Sequence, residues 1–112
     1  MAVYVNNLLI YTGTDYEQVF ILASEDDETL LKLFGYSFES KMKRHPNSNS
    51  SVSFTTSIKD ANFGKIKIEL SSEQTSSLKP GRYYYDIVMI DPNQIRTRVI
   101  EGEVFVKKSV TR

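Results

Sequence analysis

Apolar and polar residues alternate along most of this chain, which is the pattern of half-buried β-strands. The alternation is cleanest over residues 65–70, where Ile66, Ile68 and Leu70 are predicted to face a core. It recurs over residues 15–22, 36–44 and 54–58. The predicted inward residues of the first two of these runs are Tyr16, Gln18, Phe20 and Leu22, then Tyr36, Phe38, Ser40 and Met42.

The last third of the chain predicts a β-hairpin, because two long alternating runs flank the turn signal Asp91-Pro92-Asn93-Gln94. The second run, residues 96–107, is predicted to turn its larger β-branched side chains inward and to bulge or bend at Gly102. The predicted inward residues of the hairpin are Tyr83, Tyr85, Ile87, Met89, Ile100, Val104 and Val106.

The first run of this hairpin, residues 82–91, is apolar on its other face as well. Tyr84, Val88 and Ile90 lie there. A sandwich buries only one face of each sheet, so we predict that these three residues bind another protein chain. The alternative is that a loop of the same chain covers them.

The amino-terminal segment, residues 3–11, predicts one bent strand or two short strands, because Asn6-Asn7 interrupts its apolar run. Val3, Tyr4 and Val5 are a second predicted contact with a partner. The reason is that a strand near a chain end can pair with the edge of a neighbouring sheet.

Two segments predict loops. Residues 24–28, Ser-Glu-Asp-Asp-Glu, favour a solvated hairpin loop over a calcium site, because they lack alternating ligands and an internal glycine. The polar residues 45–51 predict a protruding, mobile loop.

Two further segments raise the question of a helix. Residues 30–34 are compatible with a short helix, although Gly35 favours an extended or turn segment. Ser71 followed by Gln74 fits a capping box, which predicts one short helical turn near residues 72–78.

Composition indicates one ordinary globular domain spanning residues 1–112, with 40% apolar and 25% charged residues and no 18-residue apolar run. We therefore expect no membrane partner. Fourteen basic residues balance fourteen acidic ones, which argues against a nucleic-acid partner, and the basic cluster at residues 41–45 is interpreted as a solvated strand face. The chain lacks cysteine and its first residues lack a secretory signal pattern, both of which fit synthesis in a reducing cytoplasm.

Candidate chemistry is sparse. The one histidine, His45, precedes a proline in a polar loop, so no nucleophilic triad or histidine zinc site can be assembled around it. The five glycines are isolated at turns and bends, which argues against a phosphate cradle. Tyr83-Tyr84-Tyr85 alternates between two faces and so predicts no continuous stacking platform. We expect no catalytic residues, no cofactor and no metal site, and a small hydrolase or nuclease is the weakest of the functions considered.

The order of elements predicts the fold class. Short strands with turns every eight to twelve residues, and only one helical turn, are typical of an all-β antiparallel sandwich or barrel. We favour the sandwich.

Several short motifs span most of the chain. They are Gly13-Thr14-Asp15-Tyr16, Leu33-Phe34-Gly35-Tyr36, Gly64, Ser72-Glu73-Gln74-Thr75, Pro80 to Asp86, Glu101-Gly102 and Val110-Thr111-Arg112. Together they resemble small phage virion proteins, in particular the amino-terminal domains of siphophage upper baseplate proteins and short structural proteins of marine myophages. There is one departure: Phe34 stands where that family usually has threonine.

The resemblance implies an immunoglobulin-like β-sandwich that acts as a non-enzymatic docking or accessory module of a bacteriophage virion. A tail or baseplate location is favoured, and a capsid decoration protein is an alternative. The implied partners are other virion structural proteins and further copies of the chain within the particle, and the implied localisation is the virion, after synthesis in the bacterial host cytoplasm. A carbohydrate-binding module that stacks host glycans on Tyr4, Tyr11 and Tyr84 is the alternative from another class.

Overall fold

The computed structural model describes residues 4–23 and 31–111 and consists mainly of strands. One short helix, α1 (Ser72–Ser76), and one 3-10 turn (Ala61–Phe63) interrupt them. The strands are β1 (Tyr4–Val5), β2 (Leu8–Tyr11), β3 (Tyr16–Ile21), β4 (Ser37–Lys43), β5 (Val52–Ser53), β6 (Thr55–Asp60), β7 (Lys65–Leu70), β8 (Gly81–Ile90) and β9 (Arg96–Lys107).

The strands form two sheets. The six-stranded sheet has the order β1-β9-β8-β4-β5, and β2 pairs with the same strand β9 as β1 does. Both β1 and β2 run parallel to β9, while the remaining pairs of this sheet are antiparallel. The three-stranded sheet has the antiparallel order β3-β7-β6.

The inner faces of the two sheets share one apolar core. Ile66, Ile68 and Leu70 are buried in it, which confirms the face predicted for β7. Tyr16, Gln18 and Tyr36 were predicted to be inward and are half-buried. The other predicted inward residues are buried: Phe20, Leu22, Phe38, Ser40, Met42, Tyr83, Tyr85, Ile87, Met89, Ile100, Val104 and Val106.

The order of strands is that of an immunoglobulin-like sandwich. In the letters used for that fold, β3, β7 and β6 correspond to B, E and D, and β4, β8 and β9 to C, F and G. A tyrosine corner accompanies this order: Tyr83 lies near the start of β8, and its hydroxyl donates a 2.8 Å hydrogen bond to the carbonyl oxygen of Lys79. The predicted fold class is therefore confirmed.

The predicted helical turn is present as α1. The backbone N–H of Gln74 donates to the Ser71 hydroxyl over 3.2 Å, and the N–H of Ser71 donates to the Gln74 side-chain oxygen over 2.9 Å. This reciprocal pair is the predicted capping box, and it satisfies N–H groups that a helix start leaves unpaired.

The loops follow the predictions as far as the structure describes them. Residues 31–36 contain a turn at Phe34–Gly35 and no helix, and Gly35 has a φ of 80° that favours glycine. The loop at residues 45–51 is mostly exposed, and its mobility stays a prediction. Residues 24–28, with the calcium alternative raised for them, lie outside the described residues.

The predicted bulge or bend at Gly102 is wrong. Gly102 pairs in regular register with Tyr85, and the irregularity lies where Ile87 and Val88 face β9, with Val99 as the extra residue. Gly102 is instead required by close packing, because a Cβ atom there would lie 2.2 Å from the carbonyl oxygen of Asn6. The glycine therefore admits the chain between β1 and β2 rather than bending β9.

Candidate interaction surface

The outer face of the six-stranded sheet carries two of the predicted partner-binding residues, Tyr84 and Val88. Both lie on β8, near the middle of the sheet, and both are half-buried. Tyr84 has Glu103 and Lys43 as its cross-strand neighbours. The residues around them line a shallow hollow of about 810 Å³.

Ion pairs surround Val88 on this face. Arg96 binds the two carboxylate oxygens of Glu39 over 2.8 Å and 3.4 Å. Arg98 lies on β9 directly opposite Val88. It contacts Asp86 over 3.3 Å and Glu101 over 3.5 Å. These groups are solvated, so the pairs contribute little to stability. The ion pairs fix where charge lies around the Val88 side chain.

The Glu39–Arg96 pair is the best-aligned of these contacts. Hydrogen bonding from Arg96, with its positive charge, lowers the pKa of the Glu39 carboxyl, and the same contact raises the pKa of the Arg96 guanidinium. A two-point guanidinium–carboxylate contact also fixes the relative orientation of the two planes. The two side chains therefore form a charged bridge between β4 and β9.

Ile90 does not fit its predicted role as a partner contact on this face, because its side chain is only 9% accessible. Ile90 of β8 is paired with Arg96 of β9, whereas Val88 of β8 is paired with Glu39 of β4 on the other side. To reach Glu39, the Arg96 side chain must cross β8 between Val88 and Ile90. The Arg96 side chain therefore passes beside the buried Ile90, and Tyr84 and Val88 remain the candidates on β8.

The amino-terminal strand pairs with its own chain rather than standing free. Tyr4 pairs with Ile100 and Val5 with Glu101, both on β9. Val5 is 73% exposed and belongs to the same outer face as Tyr84, whereas Tyr4 lies on the side that turns toward the three-stranded sheet. Val3 lies outside the described residues.

Two exposed residues that the sequence analysis missed enlarge the apolar part of this face. Leu9 of β2 and Phe105 of β9 are direct cross-strand partners, and both are exposed. Phe105 could have been found from the sequence, since it lies between the inward residues Val104 and Val106. We call Val5, Leu9, Tyr84, Val88 and Phe105 the outer-face patch.

The tyrosines proposed for sugar stacking are not brought together. Tyr4 pairs with Ile100, Tyr11 with Lys107 and Tyr84 with Glu103, so the three rings lie in different rows of the sheet. The Arg82 guanidinium lies 5.9 Å from the centre of the Tyr84 ring and already makes a cation–π contact with it. The geometry gives no shared stacking surface.

Residues 4–23 and 31–111 contain no group of three histidine or carboxylate side chains placed to hold a metal ion. No helix within them has the length and apolar character needed to cross a membrane. His45 is exposed in its loop.

Comparisons with known proteins yield structural likeness only. No family model matches the sequence, and no curated protein matches it. The internalin-like protein lmo2027 of Listeria monocytogenes matches with a TM-score of 0.46 and 13% identity over 96% of this chain, which spans 28% of that protein. A structure from photo-crosslinking work on multimeric cell-adhesive interactions of VGSC beta subunits matches with a TM-score of 0.43 and 13% identity, covering 94% of this chain and 92% of that one. Likeness at this level carries no argument about function.

Proposed function

We propose that this chain is a non-enzymatic structural protein of a bacteriophage virion, which docks onto other virion proteins through the outer-face patch. The assignment to a phage virion rests on the sequence motifs that resemble phage baseplate proteins. The observation that carries the docking role is that Tyr84 and Val88 present large side chains in the middle of the outer face, with Asp86 between them and paired charges on the strands at either side.

This arrangement matches the anatomy of a protein interface that forms between independently folded partners. Such interfaces have an apolar, aromatic centre and a polar rim, and arginine and tyrosine are enriched in them. Tyr84 offers a large rigid ring at small entropic cost. Arg82 lies beside that ring, and Arg98 and Arg96 lie further along the face, opposite Val88 and Ile90. The face is therefore suited to bind another chain reversibly or during particle assembly.

The charges on this face also define the kind of partner. Arg98 shares its charge between Asp86 and Glu101, and Arg96 is satisfied by Glu39. Because these groups are already paired, a partner surface of mixed charge with apolar side chains fits better than a strongly charged polymer. A protein is thus the favoured partner over nucleic acid.

The test removes the large side chains of Tyr84 and Val88 and keeps the β-strand intact. The double variant Tyr84→Thr/Val88→Thr places β-favouring, uncharged side chains at both positions. A matched control, Ser57→Thr/Lys59→Thr, places the same residue at two exposed positions on β6 of the other sheet. Both variants are expected to unfold near the wild-type temperature in a thermal scan.

The readout is the amount of the chain in purified phage particles, measured by mass spectrometry after expression during infection. We expect the wild type and the control to be incorporated and the Tyr84→Thr/Val88→Thr variant to be lost from particles. Normal incorporation of that variant would show that the outer-face patch is not the docking surface. Absence of the wild-type chain from particles would refute the virion assignment itself.

A density map of the particle would then separate the two locations within this function. A copy at the tail or baseplate is expected, and copies spaced over the capsid lattice would make the chain a decoration protein. The virion is accordingly the proposed localisation, reached after synthesis in the bacterial host cytoplasm.

A further inference from the structure

The two long sides of the sandwich differ in how the chain closes them. On one side the chain passes from β5 to β6 and joins the two sheets. The N–H of Phe54 donates to the carbonyl oxygen of Ser40 over 2.9 Å, and the Thr56 hydroxyl donates to the carbonyl oxygen of Phe38 over 2.8 Å. On the other side β3 is the edge of the three-stranded sheet, and among the described residues it pairs only with β7.

The register of β3 shows which of its backbone groups point away from β7. The N–H of Leu22 donates to the carbonyl oxygen of Gly64, so the even-numbered residues of this segment use their backbone groups toward β7. The odd-numbered residues Glu17, Val19 and Ile21 therefore direct their N–H and C=O groups outward. In agreement, the Gln18 side-chain amide donates to the carbonyl oxygen of Val19 over 3.2 Å, at the open edge.

Apolar groups accompany this open edge. Ile21 is 56% exposed and Val19 is half-buried on the outer face of the three-stranded sheet. Beside the edge, a slot of about 270 Å³ opens between the two sheets and is lined by Tyr4, Phe20 and Ile100, among others. Exposed strand edges with apolar side chains are templates for pairing with another strand.

We propose that β3 pairs antiparallel with β3 of a second copy of this chain, about a two-fold axis that passes beside Phe20. In this register Val19 of each copy pairs with Ile21 of the other, so that two hydrogen-bonded pairs flank the axis and join the two three-stranded sheets into one. The proposal concerns the sheet opposite the outer-face patch and stands independently of the proposed function.

Complementarity of the edge with itself selects this register. It gathers Val19 and Ile21 of both copies into one apolar cluster on the outer face and leaves each Glu17 at an end of the paired segment, opposite Ala23 of the other copy. Moving the axis to Val19 sets Glu17 against Ile21, and moving it to Glu17 sets the two Glu17 carboxylates against each other, which is destabilising. Moving the axis to Ile21 also pairs apolar residues, but it gives one Ile21–Ile21 contact and sets each Val19 against the smaller Ala23, in place of the two Val19–Ile21 pairs.

Gln18 competes with this pairing. Its amide occupies the carbonyl oxygen of Val19, which in the dimer accepts from the N–H of Ile21 of the second copy. The two hydrogen bonds are exchanged rather than added, so the gain comes from burial of Ile21 and Val19 and from the remaining backbone bonds. Gln18 thereby keeps the dimer weak and dependent on concentration.

Sedimentation velocity over a series of concentrations of the purified chain tests the proposal. We expect a monomer–dimer equilibrium that Ile21→Lys weakens by about tenfold or more, because it removes apolar contact and adds like charges beside the axis. Thr55→Lys, an exposed position on the other edge strand β6, is the matched control and should leave it unchanged. A chain that stays monomeric at every concentration, or equal effects of the two lysines, would overturn the proposal.

Removing the competing Gln18 amide should strengthen the dimer, in contrast to Ile21→Lys. Gln18→Met keeps the length of the side chain and removes its amide donor. Each Gln18 is worth roughly one hydrogen bond, about fivefold, and the dimer contains two, so it should tighten by about 25-fold. Weaker association of this variant would contradict the exposed carbonyl of Val19 as part of the contact.

Cross-linking reads the register directly, because the wild-type chain contains no cysteine. The variants Val19→Cys and Ile21→Cys are each prepared alone and then mixed under mild oxidation. Directly opposite residues of a hydrogen-bonded pair have Cα atoms about 5.5 Å apart, within the reach of a disulfide. We expect cross-linked dimers to form faster in the mixture than in either variant alone, and equal rates in all three samples would exclude this register.

Discussion

The hydroxyl of Tyr85 donates a 2.6 Å hydrogen bond to the carbonyl oxygen of Asn6, which lies 79 residues earlier in the chain. The Tyr85 ring also packs edge-on against Phe54, with centroids 6.2 Å apart. Asn6 is the point where the chain passes from β1 to β2, and it approaches β9 just where Gly102 leaves room. One buried tyrosine thus anchors the amino-terminal segment to the middle of the six-stranded sheet.

Removing this hydroxyl should destabilise the fold. Tyr85→Phe leaves the Asn6 carbonyl without its donor, and we expect the free energy of unfolding to fall by about 1–3 kcal/mol. Tyr11→Phe, at an exposed ring, is the control and should change little. Urea unfolding followed by circular dichroism gives both values, and equal stability of the two variants would mean that the anchor contributes nothing.

Gly102→Ala should have a related but larger structural effect. The added Cβ would lie 2.2 Å from the Asn6 carbonyl oxygen, so the chain between β1 and β2 must move away from β9. Overpacking of this kind costs about 1–3 kcal/mol. Hydrogen exchange of the Asn6 amide, which donates to the Glu101 carbonyl oxygen, should accelerate. Unchanged protection of that amide would argue against the close approach.

Ile68→Ala should destabilise the core by about 2–5 kcal/mol, because a fully buried side chain is lost and a cavity remains. The matched change Ile95→Ala, at an exposed isoleucine, should stay within about half a kcal/mol. Thermal or urea unfolding measures both. A small loss for Ile68→Ala would place that side chain outside the core.

Alkaline pH should destabilise the protein through two phenols, the half-buried Tyr16 and the buried Tyr85. Burial raises the pKa of Tyr16 to about 12 from 10.0, and burial, with a smaller contribution from Tyr16, raises the pKa of Tyr85 further. Because both folded-state values exceed the unfolded value, the stability from the neutral phenols is complete below pH 10 and falls as pH rises toward 12. Tyr16→Phe should flatten this loss in urea unfolding measured from pH 8 to pH 11.5, and an unchanged slope would contradict it.

The polar loop at residues 45–51 should be cut by a nonspecific protease before the strands on either side of it. Nearly all of its residues are exposed, and its one internal backbone hydrogen bond joins Ser48 to His45. Mass spectrometry of the early fragments identifies the cleaved bond. A loop that resists cleavage for as long as β4 does would show that it is held rather than mobile.

The sequence by itself determined the fold class and most of the core. Period-two alternation placed Ile66, Ile68 and Leu70 inward, because successive side chains of a strand must point to opposite faces. Ser71 and Gln74 announced α1, because capping is a local interaction between residues three apart. These features depend on neighbours along the chain, which is why a pattern alone predicts them.

Only the tertiary structure decided which apolar residues remain on the surface and which edges remain open. Ile90 is buried, and Arg96 of β9 reaches past it across β8 to Glu39 of β4, an arrangement of three strands that no local pattern encodes. Gly102 is explained by Asn6, whose carbonyl oxygen approaches it although the two residues are far apart in the sequence. Likewise, the alternation of β3 could not show that β7 occupies one side of that strand only, because pairing partners are set by the fold and not by the period of the sequence.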